Sequence, residues 1–251
     1  MPYLLRDGVR LYYEDHGHGM PILLTHGFAA SSRMWQGQVT AFQDAYRLIC
    51  WDMRGHGASD SPAEQTLYSH AHTIEDMRAL LDHLGVTQAV IAGHSLGGFL
   101  SLAFAIQHPT RVRALILQGC GPGYRNPKAR EAWNARTEQR AQALEAKGFE
   151  AIGGSSEVRL SPHRSPAGLA KAARGILRQV DARVIDGLPQ ITVPVLLIVG
   201  EEDTPYLNGM NYMARRLPHA ELVVIPQAGH GANVDQPEIF NKAVRQFLAR
   251  S

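Results

Sequence analysis

Short apolar runs alternate along this chain with longer segments in which apolar residues recur every three or four positions. Residues 4–6 and 9–15 flank Asp7-Gly8, a dipeptide that favours tight turns, and are predicted to form a β-hairpin. Continuous apolar runs are typical of strands buried on both faces of a parallel sheet. Six such runs follow the hairpin, at residues 22–25, 47–51, 89–92, 112–117, 195–199 and 222–225.

Helical patterns lie between these predicted strands. Residues 73–84 have apolar residues at helical spacing, and Gly85 ends the pattern. Residues 96–108 form a second helical pattern, which stops before Pro109. A hairpin followed by alternating strands and helices predicts an α/β fold, with a mostly parallel eight-stranded sheet and helices on both faces.

The alternation breaks between Gly121 and Val193, where only helices are predicted. Asn126 and Pro127 are typical of the start of a helix, and this one would continue to Gly148. Ser165 and Pro166 start a second helix, which has one apolar stripe to bury. The stripe consists of Leu169, Ala173, Ile176, Leu177 and Val180. An all-helical insertion between two strands of a parallel sheet indicates a lid.

Composition narrows the possible classes of protein. The 251 residues are 45% hydrophobic and 19% charged, which suits one large globular domain with an insertion. The net charge of +2 comes without a basic block, so we expect no nucleic-acid partner. With no leader pattern and no apolar run near about 18 residues, we expect a cytoplasmic protein with no membrane partner. The two cysteines, Cys50 and Cys120, are predicted to be reduced and buried.

A serine stands between two glycines in Gly93-His94-Ser95-Leu96-Gly97, after a predicted strand and at the start of a predicted helix. This is the context of the G-x-S-x-G turn, which exposes a serine nucleophile. Larger residues at the glycine positions would collide in so sharp a turn. The start of the following helix favours negative charge beside the serine. Ser95 is therefore the candidate nucleophile.

A serine hydroxyl becomes a good nucleophile when a base takes its proton, and an acid orients that base. His230 follows the strand at 222–225 and Asp203 follows the strand at 195–199, so both are predicted to meet Ser95 at one edge of the sheet. Glu201 and Glu202 are alternatives for the acid, with Asp203 preferred. Among the other histidines, His16, His18, His70, His72, His163 and His219 are expected to be exposed, and His83 and His108 to end helices.

The oxygen that becomes negative when a serine attacks a carbonyl group needs hydrogen-bond donors. His26-Gly27-Phe28 follows the strand at 22–25, so its backbone would face the serine. The N–H groups of Phe28 and Leu96 are the predicted oxyanion hole.

These motifs together resemble the α/β-hydrolase superfamily, in its compact group with a helical cap, over nearly the whole chain. The likeness rests on His26-Gly27-Phe28, the turn at residues 52–59, the elbow at Ser95, Asp203 and Ala228-Gly229-His230, all in family order. It implies a core domain of residues 1–120 and 187–251, with a cap of residues 121–186 over the catalytic edge. The turn at residues 52–59 is a structural element in such proteins, so Asp52 and His56 are given no catalytic role.

Within this superfamily the nucleophile separates the reactions. Haloalkane dehalogenases and epoxide hydrolases attack with a carboxylate at the elbow, where this chain has Ser95. A serine with an oxyanion hole implies a carboxylesterase for small to medium acyl chains, acting through an acyl-serine intermediate. A lactonase, a carbon–carbon bond hydrolase or a perhydrolase would use the same residues. The resemblance implies a small-molecule ester as partner. No zinc-binding spacing, phosphate loop or dinucleotide motif appears in the sequence, so we expect no cofactor and no metal. We expect a monomer or homodimer.

A ligand-binding receptor with little turnover is a hypothesis from a different class, since some proteins of this fold are receptors. The complete Ser95, Asp203 and His230 set favours an enzyme instead. For the pocket walls, Trp133, Leu169 and Ile176 are the candidates, although apolar residues on helices more often belong to the core.

Overall fold

One eight-stranded sheet organises the molecule, whose computed structural model describes residues 2–250. The strands are β1 Tyr3–Arg6, β2 Val9–His16, β3 Met20–Thr25, β4 Tyr46–Trp51, β5 Ala89–His94, β6 Val112–Gln118, β7 Val195–Gly200 and β8 Ala220–Ile225. Their order across the sheet is β1-β2-β4-β3-β5-β6-β7-β8. Strand β2 pairs antiparallel with β1 and β4, and the other neighbouring strands are parallel.

Helices cover both faces of this sheet, and further helices lie in the insertion between β6 and β7. The helices of the chain are α1 Gln36–Phe42, α2 His70–His83, α3 Leu96–Gln107, α4 Pro127–Lys147, α5 Ser156–Arg159, α6 Pro166–Ala172, α7 Arg183–Gly187, α8 Thr204–Arg216, α9 Ala232–Asp235 and α10 Pro237–Leu248. Alternate strand residues point to opposite faces. Ile91 therefore packs with α2 and α3 in one core, while Val90 and Ala92 pack with α1 and α10 in the other. The predicted mostly parallel sheet with helices on both faces is confirmed.

The insertion between β6 and β7 contains only helical elements within the described residues. Helix α4 has the predicted bounds, and the Asn126 side chain accepts a hydrogen bond from the N–H group of Lys128. Helix α6 continues into one π-helical turn at Ala173–Leu177. The predicted stripe is wrong at Val180, which is 59% exposed because the helix has already ended at Leu177. We propose, as the sequence predicted, that residues 121–186 form the cap.

Two histidines connect this cap to the rest of the molecule, and the expectation that they are exposed is wrong. The Nδ1 atom of His163 accepts from the N–H group of Gly57 (3.0 Å), so its Nε2–H donates to the carbonyl oxygen of Ala29 (3.0 Å). His70 donates from Nε2 to the carbonyl oxygen of Ile176 (2.8 Å). Both histidines satisfy backbone groups that the loops leave unpaired, which explains their partial burial.

Both cysteines are free and buried, as predicted. Burial raises the pKa of the Cys120 thiol to about 12, so this group stays a neutral thiol near neutral pH. The helices within residues 2–250 are each too short or too polar to cross a bilayer.

The turn at residues 52–59 is held by buried charges. The carboxylate of Asp52 accepts hydrogen bonds from the N–H groups of Ser32 (2.7 Å) and Ala58 (2.7 Å). The guanidinium of Arg54 makes two hydrogen bonds of 2.7 Å to Asp76 on α2, and both side chains are fully buried. A bidentate pair of this kind fixes the turn against α2.

We expect Asp76→Asn to lower the free energy of unfolding by about 3 kcal/mol or more, because it leaves the buried Arg54 charge with only its longer contact to the exposed Asp7 carboxylate (3.3 Å). Urea unfolding followed by circular dichroism measures the change. Glu221→Gln is the matched control, since it breaks a pair with Arg250 in which both side chains are exposed, and is expected to cost under about 1 kcal/mol. Equal losses in the two variants would contradict this account of the turn.

Candidate active site

Ser95 lies at the corner between β5 and α3. Its backbone has φ = 53° and ψ = −113°, a strained conformation for a residue with a side chain. Its N–H group donates to the carbonyl oxygen of Gln118 (2.8 Å), which fixes the corner to β6. Because Ser95 precedes the first helical residue, the N–H groups of the first turn of α3 open beside it.

The two glycines of this motif are required by close backbone contacts. A Cβ atom on Gly93 would lie 2.3 Å from the carbonyl oxygen of Gly97. A Cβ atom on Gly97 would lie 2.3 Å from the carbonyl oxygen of Thr25, in the neighbouring strand β3. The collision predicted from the sequence is therefore present at Gly93, whereas Gly97 is needed because the start of α3 packs against β3.

Asp203 and His230 lie in the loops after β7 and β8, as expected. The Nδ1 atom of His230 is 2.8 Å from Oδ2 of Asp203. The Asp203 side chain is 5% exposed and that of His230 is 24% exposed, so the pair is mostly removed from water. The alternatives Glu201 and Glu202 are exposed. Glu202 instead joins the two loops through its N–H group, which donates to the carbonyl oxygen of Ala228 (2.9 Å).

The backbone of His230 is held by two side chains that sequence reasoning missed. Its carbonyl oxygen accepts from Nε2 of His94 (3.0 Å) and from the side-chain amide of Gln118 (3.2 Å). The same amide donates to Asn233 (3.0 Å). His94 is the variable residue of the elbow motif, so its position was visible in the sequence, but its partner lies 136 residues away.

Ser95 and His230 line one cavity of about 350 Å³. Within residues 2–250 the structure contains no hydrogen bond between Ser95 Oγ and His230, and Tyr206 lines the same cavity as both residues. The Tyr206 ring also stacks on His230, with centroids 4.7 Å apart and an interplanar angle of 24°. Burial raises the pKa of Tyr206, so its hydroxyl keeps its proton.

The loop after β3 packs against this serine. A Cβ atom on Gly27 would lie 3.1 Å from Cβ of Ser95, so the Gly27–Phe28 backbone borders the nucleophile. His26 fixes the loop: its Nε2 atom accepts from the N–H group of Met53 (3.0 Å) and Nδ1–H donates to the carbonyl oxygen of Gly27 (2.7 Å). Burial lowers the pKa of His26 to about 3, which keeps this neutral tautomer.

Two cavities meet at Ser95. The first, which we call the polar lobe, is the cavity of about 350 Å³ whose lining includes Arg136, Arg140, Glu157 and His230. The second, which we call the apolar lobe, has about 280 Å³, and its lining includes Leu96, Phe99, Tyr124, Pro205 and Gly209. Ser95, Trp133, Leu177 and Tyr206 line both lobes.

The three predicted wall residues differ in position. Trp133 lines both lobes, and its indole N–H donates to the carbonyl oxygen of Leu177 (2.9 Å). Leu169 and Ile176 are fully buried and line neither lobe. The prediction for these two is corrected, because their apolar faces pack into the cores of the cap and of its contact with the sheet domain.

One group of side chains beside Ser95 has the composition of a metal site. His94, Glu157 and His230 bring ligand-type atoms within 4.8 Å of one another. Nε2 of His94 is used by its hydrogen bond to the His230 carbonyl oxygen, and Nδ1 of His230 by its hydrogen bond to Asp203. The nitrogens still available to a metal are therefore Nδ1 of His94 and Nε2 of His230. A cation bound to Nε2 of His230 would block the nitrogen that acts as the base in a serine hydrolase. We therefore keep the prediction that the reaction uses no metal.

Comparison with known proteins adds to this geometry. Residues 20–157 match a family model described as alpha/beta hydrolase fold, and residues 177–251 match one described as TAP-like protein. The chain is 31% identical to 3-oxoadipate enol-lactonase 2 of Acinetobacter baylyi, covering 98% of this chain and 96% of that protein. It is 32% identical to 2-hydroxymuconate semialdehyde hydrolase of Pseudomonas putida, covering 99% and 94%. A thermophilic esterase from Thermogutta terrifontis, solved with malate bound, superposes with a TM-score of 0.84 at 30% identity, covering 96% and 94%.

The chain belongs to the alpha/beta-hydrolase family. The resemblance seen in its motifs is thereby confirmed, and two of its relatives of similar length are named as an enol-lactonase and a hydrolase. Within this alpha/beta hydrolase, the elbow, the acid and the histidine occupy the loops that the sequence indicated. Four further residues line the cavity without being indicated by any sequence motif: Arg136, Arg140, Glu157 and Tyr206.

We expect Gly93→Ala to lower the free energy of unfolding by at least about 2 kcal/mol, because its new Cβ meets immobile backbone atoms. Gly37→Ala is the matched control: Gly37 lies in α1 with open space around its Cβ position, so alanine should stabilise by about 0.5–1 kcal/mol. Urea unfolding of both variants measures the difference. A neutral Gly93→Ala would show that the elbow does not need its glycine.

Proposed function

We propose that this alpha/beta hydrolase cleaves carboxylic esters of small to medium acyl chains through an acyl-serine intermediate, with Ser95, Asp203 and His230 as catalytic residues. The observation that carries the proposal is the 2.8 Å bond between Asp203 and His230 on the cavity that also contains the strained Ser95. Asp203 is nearly buried and binds Nδ1, so Nε2 is the nitrogen that receives a proton.

In the proposed reaction, Ser95 Oγ attacks the ester carbonyl carbon and its proton passes to Nε2 of His230. Because no hydrogen bond joins Ser95 Oγ to that nitrogen in residues 2–250, the proposal requires the Ser95 side chain to reorient about χ1 before it attacks. The N–H groups of Phe28 and Leu96 stabilise the negative oxygen. The carbon–oxygen bond to the alcohol then breaks as His230 returns the proton to the leaving oxygen. Water attacks the acyl-serine, again through His230, and releases the acid and free Ser95.

Lactone hydrolysis is the second candidate. A lactone is a cyclic ester, so the same steps open its ring, and a relative named an enol-lactonase matches 98% of this chain. Comparing kcat/KM on simple esters with that on lactones of equal carbon number separates the two candidates. A preference for the lactones would replace the carboxylesterase proposal without changing the catalytic residues.

We expect Ser95→Ala to lower kcat/KM on p-nitrophenyl acetate and butyrate by at least about 1000-fold, since the nucleophile is removed. Ser101→Ala is the matched control, because it removes a buried hydroxyl from the same helix, α3, where Ser101 donates to the carbonyl oxygen of Gly97 (2.7 Å). Its kcat/KM should stay within a few fold of the wild type. If Ser95→Ala were as active as the wild type, the proposed function would fail. Tight ligand binding with no turnover of any ester would favour the receptor hypothesis.

We expect kcat/KM to rise with pH between 5 and 8, because only a neutral His230 accepts the serine proton. Burial lowers the pKa of His26 to about 3, and it holds the pKa of His56 and His94 well below the usual range, so these three stay neutral over this interval. These three histidines therefore do not account for an observed rise, which is assigned to His230. The measurement is initial rate against pH on p-nitrophenyl butyrate, and a flat profile would contradict the assignment of the base.

A further inference from the structure

Two arginines on cap helix α4 face the polar lobe without a carboxylate partner. Arg136 and Arg140 are four residues apart, so they lie on the same side of the helix, and both line this lobe together with Ser95. Both side chains are exposed. Within residues 2–250, neither guanidinium lies within 4.0 Å of a carboxylate oxygen, the distance that defines an ion pair.

Two acidic residues that flank these arginines on α4 are engaged elsewhere. Glu138 and Glu145, also on α4, both bind Arg174 of the neighbouring cap segment, with a distance of 2.9 Å for the Glu138 pair. These ion pairs draw the carboxylates to the opposite side of the helix from the lobe. The positive charge of Arg136 and Arg140 is therefore left for the cavity.

Arg140 also contacts a residue of the proposed oxyanion hole. Its guanidinium carbon lies 5.4 Å from the centroid of the Phe28 ring, a cation–π contact. Phe28 carries one of the two N–H groups of the proposed oxyanion hole. The contact holds the charge of Arg140 above the same residue that would bind the ester oxygen.

The lining of the polar lobe also contains one carboxyl group, that of Glu157. Glu157 is 2% exposed, and its Oε1 accepts from the Ser155 hydroxyl (2.5 Å). Its Oε2 faces Gly231, next to His230, where a Cβ atom on that glycine would be 2.6 Å away. The two guanidinium groups on α4 would attract an anion in this lobe.

Among the described residues 2–250, no charged side chain lines the apolar lobe, which shares Ser95 with the polar lobe. Leu96, Phe99 and Pro205 give it hydrocarbon walls, and it suits an uncharged part of a substrate. An ester bond at Ser95 would thus have a cationic environment on one side and a hydrocarbon environment on the other.

We propose that the substrate is an ester with a carboxylate on one of its two halves, which Arg136 and Arg140 bind in the polar lobe while the uncharged half occupies the apolar lobe. Guanidinium groups bind carboxylates through charge-assisted hydrogen bonds of fixed geometry. This inference rests on the proposed ester hydrolysis and adds a substrate class to it.

Two matched pairs of substrates test the inference. Mono-4-nitrophenyl adipate and its primary amide place the charge, or its neutral isostere, on the acyl half. The anion of 6-acetoxyhexanoic acid and the corresponding amide place it on the alcohol half. For one of these pairs we expect the wild type to prefer the carboxylate by about tenfold in kcat/KM, as a charge-assisted contact provides.

In Arg136→Gln/Arg140→Gln the ratio of carboxylate to amide should fall to about 1, since the recognising charges are gone. Lys128→Gln is the control: it removes one positive charge from the exposed start of α4, does not line either lobe, and should keep the wild-type ratio. Binding can also be measured without turnover, by calorimetric titration of the Ser95→Ala variant with monomethyl adipate. Adding Arg136→Gln and Arg140→Gln to this variant should weaken binding by about tenfold or more.

Equal kcat/KM for carboxylate and amide in both pairs would overturn this inference, as would a preference that survives the double substitution. In either case, continued hydrolysis of p-nitrophenyl butyrate would leave the proposed esterase function intact. No hydrolysis of any ester would end both proposals together.

Discussion

The site depends on a backbone corner that only close packing can hold. Ser95 keeps φ at 53° because Gly93 and Gly97 let the end of β5, the start of α3 and the neighbouring β3 approach to distances that exclude a Cβ atom. The hydrogen bond from the Ser95 amide to Gln118 adds a fourth element, β6. The position of the hydroxyl is thus set by the sheet itself, and the strain is balanced by burial of the surrounding strands.

The proposed cap surrounds this rigid corner with side chains that line the two lobes. His163 and His70 connect the cap to backbone groups of the core, so the insertion is attached at defined points while its inner side chains form the walls of two lobes. Trp133 lies between the lobes and is shared by both. In the proposed function, the sheet loops would provide the reacting groups and the cap helices would provide the selectivity, as is common where loops and insertions carry function on a fixed scaffold.

Sequence reasoning reached the residues whose role follows from local pattern. Ser95, Asp203 and His230 each follow an apolar run, and parallel strands end at the same edge, so chain order alone predicts that they meet. Leu169 and Ile176 show where such reasoning stops, because helical periodicity identifies an apolar face but not what covers it. In the sequence, Arg136 and Arg140 belong to a helix with many charged residues, and no pattern separates them from the others. The structure shows that they line the cavity at Ser95, while Glu138 and Glu145 of the same helix pair with Arg174.

The main-chain oxygen of His230 has a further significance. Because it receives two N–H donors, from His94 and Gln118, the loop stays fixed while the imidazole gains or loses charge. In the proposed reaction, little reorganisation energy would then accompany each proton transfer, since the surrounding dipoles are already oriented before substrate arrives. Both donors are buried and His94 is neutral, so this orientation is acquired during folding and does not vary with solvent conditions near neutrality.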